Sequence, residues 1–269
     1  MTDLIASLSQ KITERWLTAI ILPGLLYTTI VSWALLAGHR HALDLPWFTH
    51  QLNDLWQHRQ SGPATLAVAI AAGLAAASLA GVAATMLAED VVHRIWVIRA
   101  SPRRRDRLAT RAQSRWNERD NQPPQRYLPQ RATVIGEHFR LIGERVHAQY
   151  GLSVTAAWPR VWVLTTADTR ILISAAHRRY HADATTAAWA LLYLPWTLLW
   201  WPAALIAAIT FTIAHRRART SSAALATLIE ATIDTHAHAL ARAIGVDLPE
   251  GRLTPDEGNK INDILLKRA

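Results

Sequence analysis

Cysteine is absent from the 269 residues, which excludes disulfides, thiolate metal sites and cysteine nucleophiles. Lysine is almost absent: only Lys11, Lys260 and Lys267 occur, so arginine supplies nearly all the positive charge behind a net +9. Phenylalanine occurs 3 times against 12 tryptophans. No ionisable side chain lies inside the long apolar runs, so a proton or ion relay through them has no carrier. There is no Gly-rich phosphate loop, no G-x-S-x-G elbow and no dinucleotide fingerprint, which leaves nucleotide and serine-esterase chemistry without a motif.

What is present is an apolar content of 51% gathered into blocks, the pattern of membrane spans rather than of an evenly patterned soluble core. After a short amphipathic lead-in, the first block is Trp16–Gly38. It lacks a small-x-small cleavage site, so it is expected to be an uncleaved anchor, kinked at Pro23–Gly24, with Trp16 and Trp33 marking its two interfaces. The second block, Ala64–Ala88, is free of charge and aromatic residues. Ala69, Gly73, Ala77 and Gly81 follow one another at four-residue spacing, a stripe that lets helix backbones approach closely in lipid, either within one chain or between copies. Between the blocks, residues 39–63 hold a helix from about Pro46. Phe48, Leu52, Leu55 and Trp56 share one face of it, and His50, Asp54 and His58 share the other, as suits a helix lying on a membrane surface. His50 and His58 are too far apart to share an ion, so this is a solvated face or a pH-sensitive loop.

Nine arginines against two acids, Asp106 and Glu118, fill Arg94–Arg119. Arg103, Arg107, Arg111, Arg115 and Arg119 recur every four residues and form a basic stripe suited to anionic lipid headgroups or an acidic partner. Nucleic acid is a poorer match, because only Trp116 could stack on a base. A helical module is expected next. A helix opens at Pro129 and is stopped by Gly151, and the apolar run Trp158–Leu164 reads as a segment dipping into the interface, or as a strand. An amphipathic helix stopped by Gly245 and a last helix opened by the capping box Thr254–Glu257 close the chain, the last one ending at Lys267 and Arg268.

The stretch Ala184–Ala214 decides the topology. Its 31 uncharged residues would make a helix about 46 Å long against a hydrocarbon core of ~30 Å. Pro195, Trp196, Trp200, Trp201 and Pro202 sit at its middle, so a hairpin turning near Trp200–Pro202 is expected, with those tryptophans as interface anchors. A single, strongly tilted helix is the alternative. Lys11 and Arg15 place the N-terminus inside, as does the arginine run after Ala88 for that region. A hairpin also puts Arg216, Arg217 and Arg219 inside, alongside Arg178 and Arg179. Its second arm, Pro202–Ala214, is short and could be re-entrant.

Two further polar groups invite chemistry. His177 and His181 have metal-ligand spacing, but Arg178 and Arg179 would repel a cation. Glu230, Asp234, His238 and Arg242 form a ladder that helix-stabilising pairs explain. None of these groups is assigned to catalysis, a cofactor or a metal. Thr133, Gly136, Arg140, Arg145, Tyr150–Gly151–Leu152 and Trp158–Pro159–Arg160–Val161–Trp162 together resemble a module of uncharacterised bacterial multi-span membrane proteins, in which a Tyr-Gly and Trp-Pro-Arg pair precedes membrane helices. The resemblance covers about a third of the chain and implies a bacterial inner-membrane location, without an activity.

The expected architecture is all-α and integral to the membrane: residues 1–92 as an N-terminal membrane hairpin, 93–183 as a basic cytosolic module, 184–219 as a membrane hairpin and 220–269 as cytosolic amphipathic helices, with both termini cytosolic. The expected function is non-enzymatic. It is a homo-oligomeric scaffold or pore-like assembly whose basic helices contact lipid headgroups or a cytosolic partner; the alternative is a membrane-associated enzyme acting on headgroups.

Overall fold

Prolines and glycines punctuate the chain, and helices fill the intervals. The computed structural model describes residues 21–58, 62–117 and 125–267. Among the described residues there is no β-strand, only an isolated bridge between Arg99 and Arg131. The chain forms two compact units. One draws on Met1–Val92 together with Thr185–Ala214, the other on His93–Ala184 together with His215–Ala269.

In the first unit, α1 (Leu22–Ala37) carries Pro23 in its first turn, where a missing N–H costs little, and stops at Gly38, whose φ is 56°. Trp16 lies outside the described residues. Helix α2 (Leu45–His58) is started by Asp44, whose carboxylate accepts the Trp47 amide at 3.0 Å. Helix α3 (Pro63–Leu87) is followed by a π-helical turn, Ala88–Val92, and then by α4 (His93–Val97), which belongs to the second unit. By length and composition, Ala67–Val97 is long and apolar enough to cross a membrane, and α1 is a shorter apolar helix.

Helices α1 and α3 touch backbone to backbone: a Cβ on Gly24 would lie 2.2 Å from the Ala77 carbonyl oxygen. The small-residue stripe therefore has a partner inside the chain, but only over part of its length. Ala77 and Gly81 are buried, whereas Ala69 is exposed and Gly73 has open space around it. The buried line continues as Ala84 and Ala88. A strict four-residue repeat drifts about 40° per step around a helix of 3.6 residues per turn, so it cannot keep facing one neighbour.

The long apolar stretch does not continue as one helix. The helix Ala167–Tyr193 (α8) gives way to a 3₁₀ turn at Leu194–Leu198, and the helix Pro202–Ala243 (α9) follows. Pro195 and Pro202 account for the break, since neither can donate an N–H to a continuing ladder. The turn is fastened to the first unit's other helices. Trp196 Nε1 donates to Tyr27 Oη at 2.7 Å, Tyr27 Oη donates to the Leu192 carbonyl at 3.2 Å, and Trp200 Nε1 donates to the Ala42 carbonyl at 3.0 Å. Trp200 is buried with Ala34, Ala42 and Ala203. Of the three tryptophans expected as interface anchors, only Trp201 turns its ring outward, while Trp196 and Trp200 are occupied as internal fasteners. Indole N–H groups need partners when buried, and here the partners are protein atoms.

The second unit holds α5 (Pro102–Asn117), α6 (Val134–Tyr150), α7 (Val154–Leu164), the first part of α8 (Ala167–Tyr193), the later part of α9 (Pro202–Ala243) and α10 (Pro255–Leu265). Its core joins Ile142, Val146, Val161, Ile233, Leu240 and Ile261 from four of these helices, with Leu152 from the turn between α6 and α7. Helix α6 opens five residues later than Pro129 suggests. Thr133 is its cap, accepting the Gly136 amide at 3.1 Å, and Gly136 is a point of close approach, where a Cβ would lie 2.6 Å from the Trp96 carbonyl oxygen. Trp158–Leu164 is not a strand: it is the body of α7, with Pro159 inside the helix. Helix α10 ends at Leu265, before Lys267, and Arg268 lies outside the described residues. Its Thr254–Glu257 capping box is formed.

Gly151, Arg140 and Arg145 are joints of this unit. Gly151 stops α6 with φ 70°, and a Cβ there would sit 2.2 Å from the Pro255 carbonyl oxygen. Asn262 spans the same crossing, accepting the Ser153 amide at 2.9 Å and donating to the Gly151 carbonyl at 2.7 Å. The buried Arg140 guanidinium pairs with Glu137 and donates to the carbonyls of Arg126 at 2.8 Å and Leu128 at 3.1 Å, pinning that segment to α6. Arg145 grips Glu230 with two bonds of 2.6 and 2.5 Å.

Candidate functional site

Helices α8 and α9 run antiparallel through the second unit, and residues roughly equidistant in sequence from Trp201–Pro202 meet. Asp183 accepts the Ser221 hydroxyl at 2.7 Å, and Ile173 and His177 share a groove with Leu225 and Ile229. This register builds two concavities from residues that are distant in sequence.

The first is a cleft of about 450 Å³ lined by Arg179, Asp183, Arg217, Thr220 and Ser221, with Ala176 and Ala224 at its edges. The alanines leave the room that the arginines border. Asp183 and Ser221 are buried, whereas Arg179, Arg217 and Thr220 are exposed. The cleft therefore carries two guanidinium groups and one carboxylate, and the carboxylate is the recessed member. The second concavity, about 490 Å³, is apolar and aromatic, with Trp158, Trp162, Ile173, Leu225 and Ile229 as walls and His177 and Arg178 at the edge.

The structure places the sequence-derived basic residues differently from one another. Arg103, Arg107 and Arg111 are exposed on α5, Arg115 lies on α5, and Arg119 falls outside the described residues. Arg216, Arg217 and Arg219 are exposed on α9, but only Arg217 lines the cleft. Arg179, Thr220 and Ser221 join it without having been marked as ligand-binding. Arg179 and Asp183 at i, i+4 and Arg217 and Ser221 at i, i+4 are visible in the sequence, yet only the hairpin register brings the two pairs face to face.

His177 and His181 stack edge to face at 4.4 Å between ring centroids, and His93 donates to or accepts from Tyr180 Oη at 2.9 Å. Burial, followed by the charges of His181 and His93, holds the His177 pKa below its ordinary value. Among the described residues no group of three or more His, Asp or Glu side chains has the arrangement to hold a metal ion. The Glu230–Arg242 ladder is drawn outward to α6 rather than closing on itself. Glu230 takes Arg145, and burial with a hydrogen bond to Asp234 pushes the Tyr150 hydroxyl up to about 12. Ser222 is paired with His138 at 3.0 Å but is fully buried, so its hydroxyl faces no substrate.

No family model matches the chain, and no curated protein or solved structure is significantly similar to it.

Proposed function

We propose that this is a non-enzymatic, multi-pass protein of the bacterial inner membrane, with the first unit in lipid and the basic second unit on the cytosolic face against anionic headgroups. The observation that carries this reading is the surface of the first unit. Leu22, Leu26, Val68, Leu79, Leu205 and Ile209 are all more than half exposed, on helical stretches without a single charged side chain. In water such a surface would cost about 25 cal/mol per Å² of apolar area, whereas hydrocarbon removes that cost. The uncharged arms beyond Ala184 and before His215 are too short for two full spans of ~20 residues, so the hairpin fits a re-entrant insertion held by Trp196 and Trp200. Self-association through the exposed Ala69–Gly73 part of α3 belongs to the same proposal.

Alkaline carbonate washing of membranes from expressing cells, together with reporters fused after residue 62, within 199–203 and at residue 269, tests the reading. A wash-resistant chain with a cytosolic C-terminus is expected. A chain released by carbonate, or a C-terminal reporter on the outer side, would overturn it.

A further inference from the structure

The cleft bounded by Arg179, Asp183, Arg217, Thr220 and Ser221 mixes two cations with a recessed anion, and that mixture is informative about its ligand. A simple anion such as inorganic phosphate would meet the guanidinium groups but also the Asp183 carboxylate. A simple cation would meet the reverse conflict. A ligand with a phosphate at one end and an ammonium a few bonds away satisfies both. Neither Arg179 nor Arg217 forms an ion pair among the described residues, so both guanidinium groups are available to phosphate oxygens. Thr220 adds a hydroxyl at the same border. Asp183 is buried, and one of its oxygens accepts the Ser221 hydroxyl at 2.7 Å, which aims the carboxylate and leaves its second oxygen for an N–H donor. Asp183 is also the last ionisable residue before the uncharged stretch that begins at Ala184, and Arg217 follows closely on its end at Ala214. The cleft thus stands, in sequence, where a headgroup would lie if the uncharged stretch is in lipid.

From this geometry we infer that the cleft is a binding site for an aminoalkyl phosphate, and that its source is the phosphoethanolamine headgroup of a membrane lipid. The inference rests on the membrane reading above for the source of the ligand, but not for its chemistry. A primary ammonium supplies N–H donors to Asp183, and the quaternary ammonium of phosphocholine supplies none, so the site discriminates between two headgroups of the same net charge. Phosphatidylglycerol would keep the arginine contacts but offer Asp183 a neutral hydroxyl in place of an ammonium.

The test uses the full chain, purified in detergent and exchanged into nanodiscs, with bound lipid counted by native mass spectrometry. Phosphatidylethanolamine is expected to be retained about tenfold over phosphatidylcholine, the ratio that one charge-assisted hydrogen bond supplies. Asp183→Asn keeps an acceptor for Ser221 and should erase that preference while leaving phosphatidylglycerol binding intact. Arg217→Gln, at an exposed position, should weaken phosphatidylethanolamine and phosphatidylglycerol alike. An unchanged preference in Asp183→Asn, or undiminished binding in Arg217→Gln, would overturn the site. Full displacement of lipid by soluble O-phosphoethanolamine would overturn the lipid source and assign the site to the free compound. A wash-resistant chain with no headgroup preference would defeat this inference alone, whereas a chain released by carbonate would defeat the membrane reading first.

Discussion

At the scale of single residues, the second unit depends on glycines whose missing side chains make room for backbone. Gly258 is the tightest case: a Cβ there would lie 1.7 Å from the Tyr150 carbonyl oxygen, which is backbone and cannot step aside. Gly258→Ala is therefore expected to destabilise the protein by about 3 kcal/mol, the upper range for overpacking, whereas Gly143→Ala, with open space around it, should cost nothing measurable. Thermal unfolding followed by circular dichroism checks the contrast, and equal melting temperatures for the two variants would refute it. The importance of Gly151 was partly legible in the sequence, because a glycine after a run of helix formers marks a stop. Gly258 was not, because its need arises from a crossing with a segment more than a hundred residues earlier. Trp196 and Trp200 failed for a related reason. Tryptophan suits both an interface and a buried hydrogen bond, and only the neighbouring Tyr27 and Ala42 decide between them.

At the scale of elements, an all-helical chain was readable from apolar periodicity and from caps, of which Gly151, Gly245 and the Thr254–Glu257 box are examples. The break near Trp200 was readable from two prolines in an otherwise uniform run. At Trp158–Leu164 a short apolar and aromatic run suggested a segment dipping into the interface, or a strand, and the structure has a helix. Packing of Ala157 and Val161 into the core overrides that propensity and holds a helix. The stripe on α3 was visible, but its partner was not. The burial pattern separates its two ends: Gly81→Leu should disturb the fold, because Gly81 is buried, whereas Gly73→Leu should be accommodated within one chain. Cysteine-free crosslinking with an amine- and carboxyl-independent photoreagent then reads association directly. Loss of crosslinked species in Gly73→Leu, with an unchanged melting temperature, is the expected result. Persistent oligomer in that variant would remove α3 as a contact between copies.

At the scale of the whole molecule, pH acts on the second unit through histidines that lose protons on folding. Burial, followed by neighbouring charge, lowers the pKa of His177, and burial followed by Arg219 lowers that of His138, both below the ordinary 6.5. The unfolded chain then binds more protons than the folded one between those lowered values and 6.5, so stability falls as pH drops through that window and is unaffected above it. The half-exposed setting of both rings keeps the effect small. A lower melting temperature at pH 5.5 than at pH 7.5, reduced by replacing both histidines with glutamine, is expected, with His93 and His215, whose values burial also lowers, supplying the remainder. An unchanged melting temperature across that range would show that the rings do not titrate differently in the two states.

The boundaries between the two units have one more consequence. Val92–His93, Ala184–Thr185 and Ala214–His215 all fall inside helical segments rather than in loops. Nothing at these places offers a protease an extended strand, and no linker can be cut to release either half. The second unit is interrupted by the hairpin as a sentence is by a parenthesis, and Asp183 and Ser221 sit on either side of the interruption. Separating it from the first unit calls for suture rather than truncation: a short turn of a few residues from Ala184 to His215 would turn two threaded helices into an ordinary αα-hairpin.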